Sequence, residues 1–246
     1  MTLKAANLGK SFRKELARES FLDGFRAFLA SGGKTEKKTA LKNFSLEASR
    51  SEIIAVTGDN GAGKTTLLRI LSTLQAPSHG QFTIFGQNGV SQKEAVREII
   101  MLIAHGSHLY DELSATENLQ FALGLRGQSP APSQIKRALD RTGIGPFADL
   151  KIRQFSAGMK KRLDFAKTIL AQPQLLLLDE PYNALDHAGV VITNQLIQET
   201  LNRAGTVFMT THDRDKATQI ATRGGILKGG HLQLLSPEQL ATDAVF

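Results

Sequence analysis

Gly58-Asp59-Asn60-Gly61-Ala62-Gly63-Lys64-Thr65-Thr66 is the stretch that decides how this chain is read. It fits the phosphate-binding pattern G-x-x-x-x-G-K-[ST]. The residues before it, Ile53-Ile54-Ala55-Val56-Thr57, are β-branched and apolar and predict a buried strand. Those after it, from Thr66 to Leu71, predict the start of a helix. A strand, a glycine turn and a helix are the context such a loop needs. Glycines let the backbone curl until successive N–H groups converge, and the helix N-terminus adds positive potential. In that geometry Lys64 reaches the β and γ phosphates of a nucleotide, and the Thr65 hydroxyl ligates Mg²⁺.

The second strong signal is Leu175-Leu176-Leu177-Leu178-Asp179-Glu180. Four consecutive leucines suit a strand buried on both faces. Carboxylates at its C-terminal end lie where open α/β sheets bind ligands. Asp179 is expected to hold the Mg²⁺, and Glu180 to orient or deprotonate an attacking water. Pro181 stops the strand.

Two weaker features gain meaning beside these. Phe155-Ser156-Ala157-Gly158-Met159 precedes a basic helical run, Lys160-Lys161-Arg162-Leu163. By itself Ser156 reads as a helix N-cap; with its neighbours it also makes a second anion site. His212 follows the apolar strand Val207-Phe208-Met209-Thr210-Thr211. It is either structural or a donor to a γ-phosphate oxygen.

The remaining pattern organises the chain around these motifs. Residues 3–12 predict an opening strand ending in Phe12. Residues 13–38 carry seven basic side chains, with Phe21, Leu22, Phe25, Phe28 and Leu29 at helical spacing. That segment is either a surface helix covering the core or a basic amphipathic helix that touches a partner or anionic lipid. Leu41 to Ala48 and Gln81 to Gly86 predict strands. From about 92 to 172 the pattern is mainly helical, with a further helix at 188–203, a hairpin from Gly224 to Leu235 and a short helix near Pro237. Strands separated by helices predict a mostly parallel α/β sheet covered on both faces.

At 246 residues the chain is long enough for a substantial core. It has no cysteine, which excludes disulfides and thiolate metal sites. The polar start, Met1-Thr2-Leu3-Lys4-Ala5-Ala6, predicts no signal peptide. Ile99 to Ala104, the longest clear apolar run, is too short to span a bilayer. A soluble or peripheral protein is expected. The net charge of +7 permits nucleotide, nucleic acid or anionic lipid as partners and chooses none.

In combination and in order, these motifs resemble the ATP-binding-cassette (ABC) ATPases. The likeness covers about residues 40–235: loop 58–66, signature 155–159, leucine-Asp-Glu run 175–180, Ala184-Leu185-Asp186 and His212. It implies a P-loop NTPase fold with an antiparallel β part beside the parallel core. The core would take about residues 1–90 and 173–246, and an inserted helical subdomain about 91–172. It implies ATP and Mg²⁺ as cofactors, ATP hydrolysis, and a head-to-tail homodimer formed on ATP binding. Each ATP would lie between loop 58–66 of one copy and Ser156, Ala157 and Gly158 of the other, with Asp186 nearby. Phe12 is then either a core aromatic or the residue stacked on adenine.

The chain departs from the family pattern at two places. Ala157 and Met159 stand where the signature usually has Gly and Gln. His105 stands where a Gln usually reaches toward Mg²⁺, and imidazole is a poor ligand for that ion. The stretch from His105 to Ser114 resembles export-type subunits, with a similar His in the haem-exporter ATPase of cytochrome c maturation. The insertion at 13–38 is more like the polysaccharide and teichoic-acid exporters. The function implied is the ATP-hydrolysing subunit of an exporter. It would work with an integral membrane subunit, peripheral on the cytoplasmic face of the cell membrane, coupled through a groove near His105 to Leu113. The alternative is a soluble cassette ATPase of an assembly complex, such as one for iron–sulfur clusters. A nucleic-acid machine ranks last, since such cassettes carry long coiled-coil or zinc insertions.

Overall fold

A computed structural model describes residues 1–13, 37–104, 109–183, 185–236 and 239. Most of the 13–38 segment, His105, Ala184 and the expected helix near Pro237 lie outside the described residues, apart from Gln239.

In chain order the elements are β1 (Leu3–Arg13), β2 (Lys37–Ala48), β3 (Ile53–Thr57), α1 (Lys64–Leu71), β4 (His79–Ile84), β5 (Gln87–Asn88), α2 (Lys93–Ile99) and β6 (Ile100–Ile103). There follow α3 (Ala115–Gly124), α4 (Pro132–Arg141), α5 (Ala157–Ala171), β7 (Leu175–Asp179), α6 (His187–Asn202), β8 (Thr206–Thr211), α7 (Arg214–Ile220), β9 (Arg223–Lys228) and β10 (His231–Leu235). Two sheets result. A six-stranded sheet runs β10-β9-β3-β8-β7-β6, parallel except for the β9–β10 hairpin. A four-stranded antiparallel sheet runs β2-β1-β4-β5.

The central strands β3, β7 and β8 are buried at every residue, as their mainly apolar sequences, with threonines or Asp179 at the ends, allow. Side chains alternate between two cores. Ile54, Val56, Leu175, Leu177 and Phe208 pack with α1 and with Leu8, Leu41, Phe44 and Phe82 of the antiparallel sheet. Ile53, Ala55, Leu176, Leu178 and Met209 pack with Ile192, Leu196 and Ile197 of α6. Each leucine of β7 is worth about 2 kcal/mol by burial alone. A third cluster, with Leu119, Ile135, Leu139, Phe155 and Leu163, lies among α3, α4 and α5. Helix α5 joins that cluster to the sheet, since its Leu163 belongs to the third core and its Phe165 to the second.

One element differs from the reading of 92–172 as mainly helical. Ile100–Ile103 is a strand, paired in parallel with Leu175–Leu178 residue for residue. Four adjacent apolar residues carry no period of their own, so the distant leucine strand settles their conformation. The guanidinium of Arg126 ends α2 at this point. It donates to the carbonyls of Glu98 (2.6 Å), Arg97 (2.7 Å) and Ile100 (2.9 Å). Burial pushes this group below the ordinary arginine pKa.

The chain after residue 108 is tied down by Asn118, which is 3% exposed. Its Oδ1 accepts from the Tyr110 N–H (2.8 Å), and its Nδ2 lies within reach of the carbonyls of Ser114, Tyr110 and Leu113. Ser114 and Glu117 form a reciprocal capping box at the start of α3. Asn118→Ala would leave these backbone groups without their partner. It is expected to cost about 2 kcal/mol, read as a lowered urea midpoint. An unchanged midpoint would show that this loop does not depend on the amide.

Candidate functional site: a phosphate cradle at the sheet edge

The loop 58–63 connects the end of β3 to α1. Gly58, Gly61 and Gly63 all have positive φ, at 152°, 83° and 112°. At Gly58 a Cβ would stand 2.3 Å from the Leu227 carbonyl oxygen, and at Gly63 it would stand 2.3 Å from that of Ala40. The parallel core and the antiparallel sheet thus press on the loop from two sides, and only glycine fits at either point. Helix α1 receives no side-chain cap. Ser114, Ser156, Asp186 and Asp213 cap α3, α5, α6 and α7, whereas α2 and α4, like α1, have no side-chain cap hydrogen bond. The first N–H groups of α1 therefore have no capping side chain, which suits an anion.

These groups open into a cleft of about 550 Å³. Its lining includes Asp59, Asn60, Gly61, Gly63, Lys64, Thr65 and Thr66, with Asp179, Glu180 and Asn183 from beyond the leucine strand. Phe12, Lys38 and Ala40 line it from the antiparallel sheet. Phe12 is 38% exposed, so it is not a core aromatic. Ala62 is buried behind the loop, within the core. Gly58 lines a neighbouring cleft with His212 and Arg214.

Within the cleft, Lys64 is buried and its ammonium donates to the carbonyls of Gly58 and Asp59. The Thr65 hydroxyl donates to Asp179 Oδ2 at 3.2 Å, and Thr210 donates to Asp179 Oδ1 at 2.6 Å. Thr65 and Asp179 thus present a hydroxyl and a carboxylate side by side. This all-oxygen donor set suits Mg²⁺, which takes few protein ligands and completes its shell with water and phosphate. Among the described residues no group of three His, Cys, Asp or Glu is placed to hold a metal by itself.

Glu180 is held in the left-handed region, at φ 47°. Its Oε2 accepts from Thr211 Oγ1 (3.0 Å) and the His212 N–H (3.3 Å), and lies 2.9 Å from His212 Nδ1. Three groups at the end of β8 therefore aim this carboxylate. The motifs by themselves do not point to Thr210 and Thr211. The available signal was a pair of hydroxyls closing an otherwise apolar buried strand.

Ser156, Ala157 and Gly158 lie elsewhere. All three are exposed at the start of α5, where Ser156 Oγ accepts from the Met159 N–H (3.2 Å), and none lines the cleft. Asp186 also stays outside it. Its carboxylate caps α6 by accepting from the Gly189 N–H (2.9 Å) and pairs with Arg162 at 2.7 Å. The Gly189 N–H, aided by Arg162, holds its pKa below the ordinary aspartate value.

A family model for ABC transporters matches residues 41–183. The cytochrome c biogenesis ATP-binding export protein CcmA of Xanthomonas oryzae pv. oryzae is 40% identical over 173 residues, covering 70% of this chain and 79% of that protein. The daunorubicin resistance ATP-binding protein DrrA3 of Streptomyces coeruleorubidus is 34% identical over 197 residues. That alignment covers 79% of this chain but only 62% of the relative's length. Among solved structures, the ATP-binding cassette MJ0796, a dimer bound to ADP and Pi, shares the fold with a TM-score of 0.80 at 23% identity. It is covered over 96% of this chain and 98% of that one. With a matching family model over more than half its length and relatives at 34–40% identity over more than two thirds of it, the chain belongs to the ABC transporter family, as an ATP-binding cassette ATPase.

Proposed function

We propose that two copies of this chain clamp two ATP molecules and hydrolyse them, and that the cycle drives an exporter through a separate membrane subunit. The observation that carries this is the division of the site. The cleft holds a cradle, a metal-binding pair and an aimed carboxylate, whereas Ser156 to Gly158 lie exposed at the N-terminus of α5 elsewhere on the surface. A head-to-tail pair brings one copy's Ser156 to the other's triphosphate.

In this reading the N–H groups of 58–66 and the Lys64 ammonium hold the β and γ phosphates, and Phe12 stacks on adenine. Thr65 and Asp179 hold Mg²⁺, which when bound offsets the phosphate charge. Glu180 accepts a proton from the attacking water. His212 gives a ring N–H to a γ-phosphate oxygen held by the same copy, and loss of that phosphate also frees the other copy's Ser156, which is the contact across the dimer. Asp186 sets the loop that faces the second copy.

Among the described residues no helix is long and apolar enough to cross a membrane; in this reading a separate membrane subunit supplies the passage. Its placement on the cytoplasmic face follows from that role. An exporter is favoured by the two relatives above, one named an export protein and the other a resistance protein.

Mixing two defective variants tests the clamp. Lys64→Ala damages the cradle and Ser156→Arg blocks the opposing cap, and each alone is expected to be nearly inactive. Mixed, they form dimers with one intact composite site and one doubly damaged site. ATPase activity should return to a quarter or less of the unmutated level. Mixtures no more active than the separate variants would refute a site shared between copies.

A further inference from the structure

The mechanism leaves one polar contact of the catalytic carboxylate unused, on its backbone rather than its side chain. Glu180 to Asn183 form a tight turn, in which the Asn183 N–H donates to the Glu180 carbonyl at 3.1 Å. The side-chain ammonium of Lys161 reaches both ends of this turn. It lies 3.0 Å from the Asn183 carbonyl oxygen and 3.5 Å from that of Glu180. Lys161 sits in α5, just over one helical turn past the exposed Ser156.

The two sides of Glu180 are therefore held by different parts of the molecule. Its carboxylate and its N–H are bound by residues 210–212 of β8 and the segment after it. Its carbonyl accepts from the Asn183 N–H and faces Lys161, from the helix that also carries the signature residues. A non-glycine residue in left-handed conformation persists only where its surroundings hold it. Tyr182 adds a further anchor to the same turn, since its hydroxyl meets Asn194 Oδ1 of α6 at 2.7 Å. The Lys161 ammonium is partly buried, which pushes its pKa below the ordinary lysine value, while Asp164 and Glu180 oppose that shift.

We infer that Lys161 is a positioning residue. It fixes the Glu180–Asn183 turn to α5, so that engagement of a second copy's phosphates at Ser156 sets the carboxylate for attack. This rests on the two-copy reading above. The signal reaches Glu180 along one rigid helix, the Lys161 ammonium and the four-residue turn whose two end carbonyls it contacts.

The test measures ATP turnover by the full chain. Lys161→Met keeps the stem and removes the ammonium, whereas Lys161→Arg keeps a cation with several donors. Lys161→Met is expected to lower kcat about tenfold with KM for ATP within about twofold, since a misplaced group costs rate rather than binding. Lys161→Arg is expected to recover most of the loss. Equal impairment in both variants, an effect confined to KM, or an unchanged kcat in Lys161→Met would each overturn the inference. The mixture of Lys64→Ala with Ser156→Arg, assayed in parallel, separates the two ideas. If mixing restored no activity, the two-copy reading would fall, whatever Lys161 does.

Discussion

Glu180→Gln is expected to bind ATP normally and to hydrolyse it about a hundred- to ten-thousand-fold more slowly. The substitution is nearly isosteric. The amide oxygen still accepts from Thr211 and from the His212 N–H, so the turn stays folded. What is lost is the negative charge that draws a proton from water. With turnover stopped, ATP has no exit through products, and the closed dimer should accumulate. Phosphate release measures the first effect, and size-exclusion chromatography with and without ATP measures the second. A monomer carrying ATP and hydrolysing it at the normal rate would refute both the catalytic role and the clamp.

Lys64→Ala acts earlier in the cycle. The buried ammonium donates to the carbonyls of Gly58 and Asp59. A triphosphate offers it stronger, fully charged acceptors at the same place. Each hydrogen bond to a charged group is worth about 1.5–3 kcal/mol net, and about 1.4 kcal/mol is tenfold in affinity. Losing two such contacts is expected to weaken ATP binding by about a hundredfold or more, in a titration of a fluorescent ATP analogue. Cooperative thermal unfolding should persist, because α1 remains packed through Leu67, Leu68, Ile70 and Leu71. Binding within twofold of the unmutated chain would mean the phosphates do not sit in this loop. The two variants thus separate binding from chemistry, since Glu180→Gln keeps the ligand and Lys64→Ala loses it.

Much of the molecule is legible in its residues because its strongest signals are local. Ile53 to Leu71 contain, in one continuous run, a strand, a turn only glycine can make and a helix. Leu175 to Glu180 contain a doubly buried strand and the carboxylates at its end. Neither depends on a partner far along the chain to be recognised. The hairpin after Gly224 is similar, with Gly229 and Gly230 supplying the positive φ its turn needs.

What the tertiary structure decided are the matters that distant partners settle. Ile100–Ile103 became a strand because Leu175–Leu178 lay open for pairing, and no period within four apolar residues announces that. The glycines at 58 and 63 are required by carbonyls of Leu227 and Ala40, from two other parts of the fold. Thr210, Thr211 and Lys161 acquire their contacts only when β8 and α5 converge on the end of β7. The separation of Ser156 from the cleft follows from the docking of α5 across two cores. The sequence alone determined which chemistry this chain carries, because backbone curvature and charge are written into neighbouring residues. The three-dimensional packing alone decided how those groups are aimed, because aim depends on contacts between residues far apart in the chain.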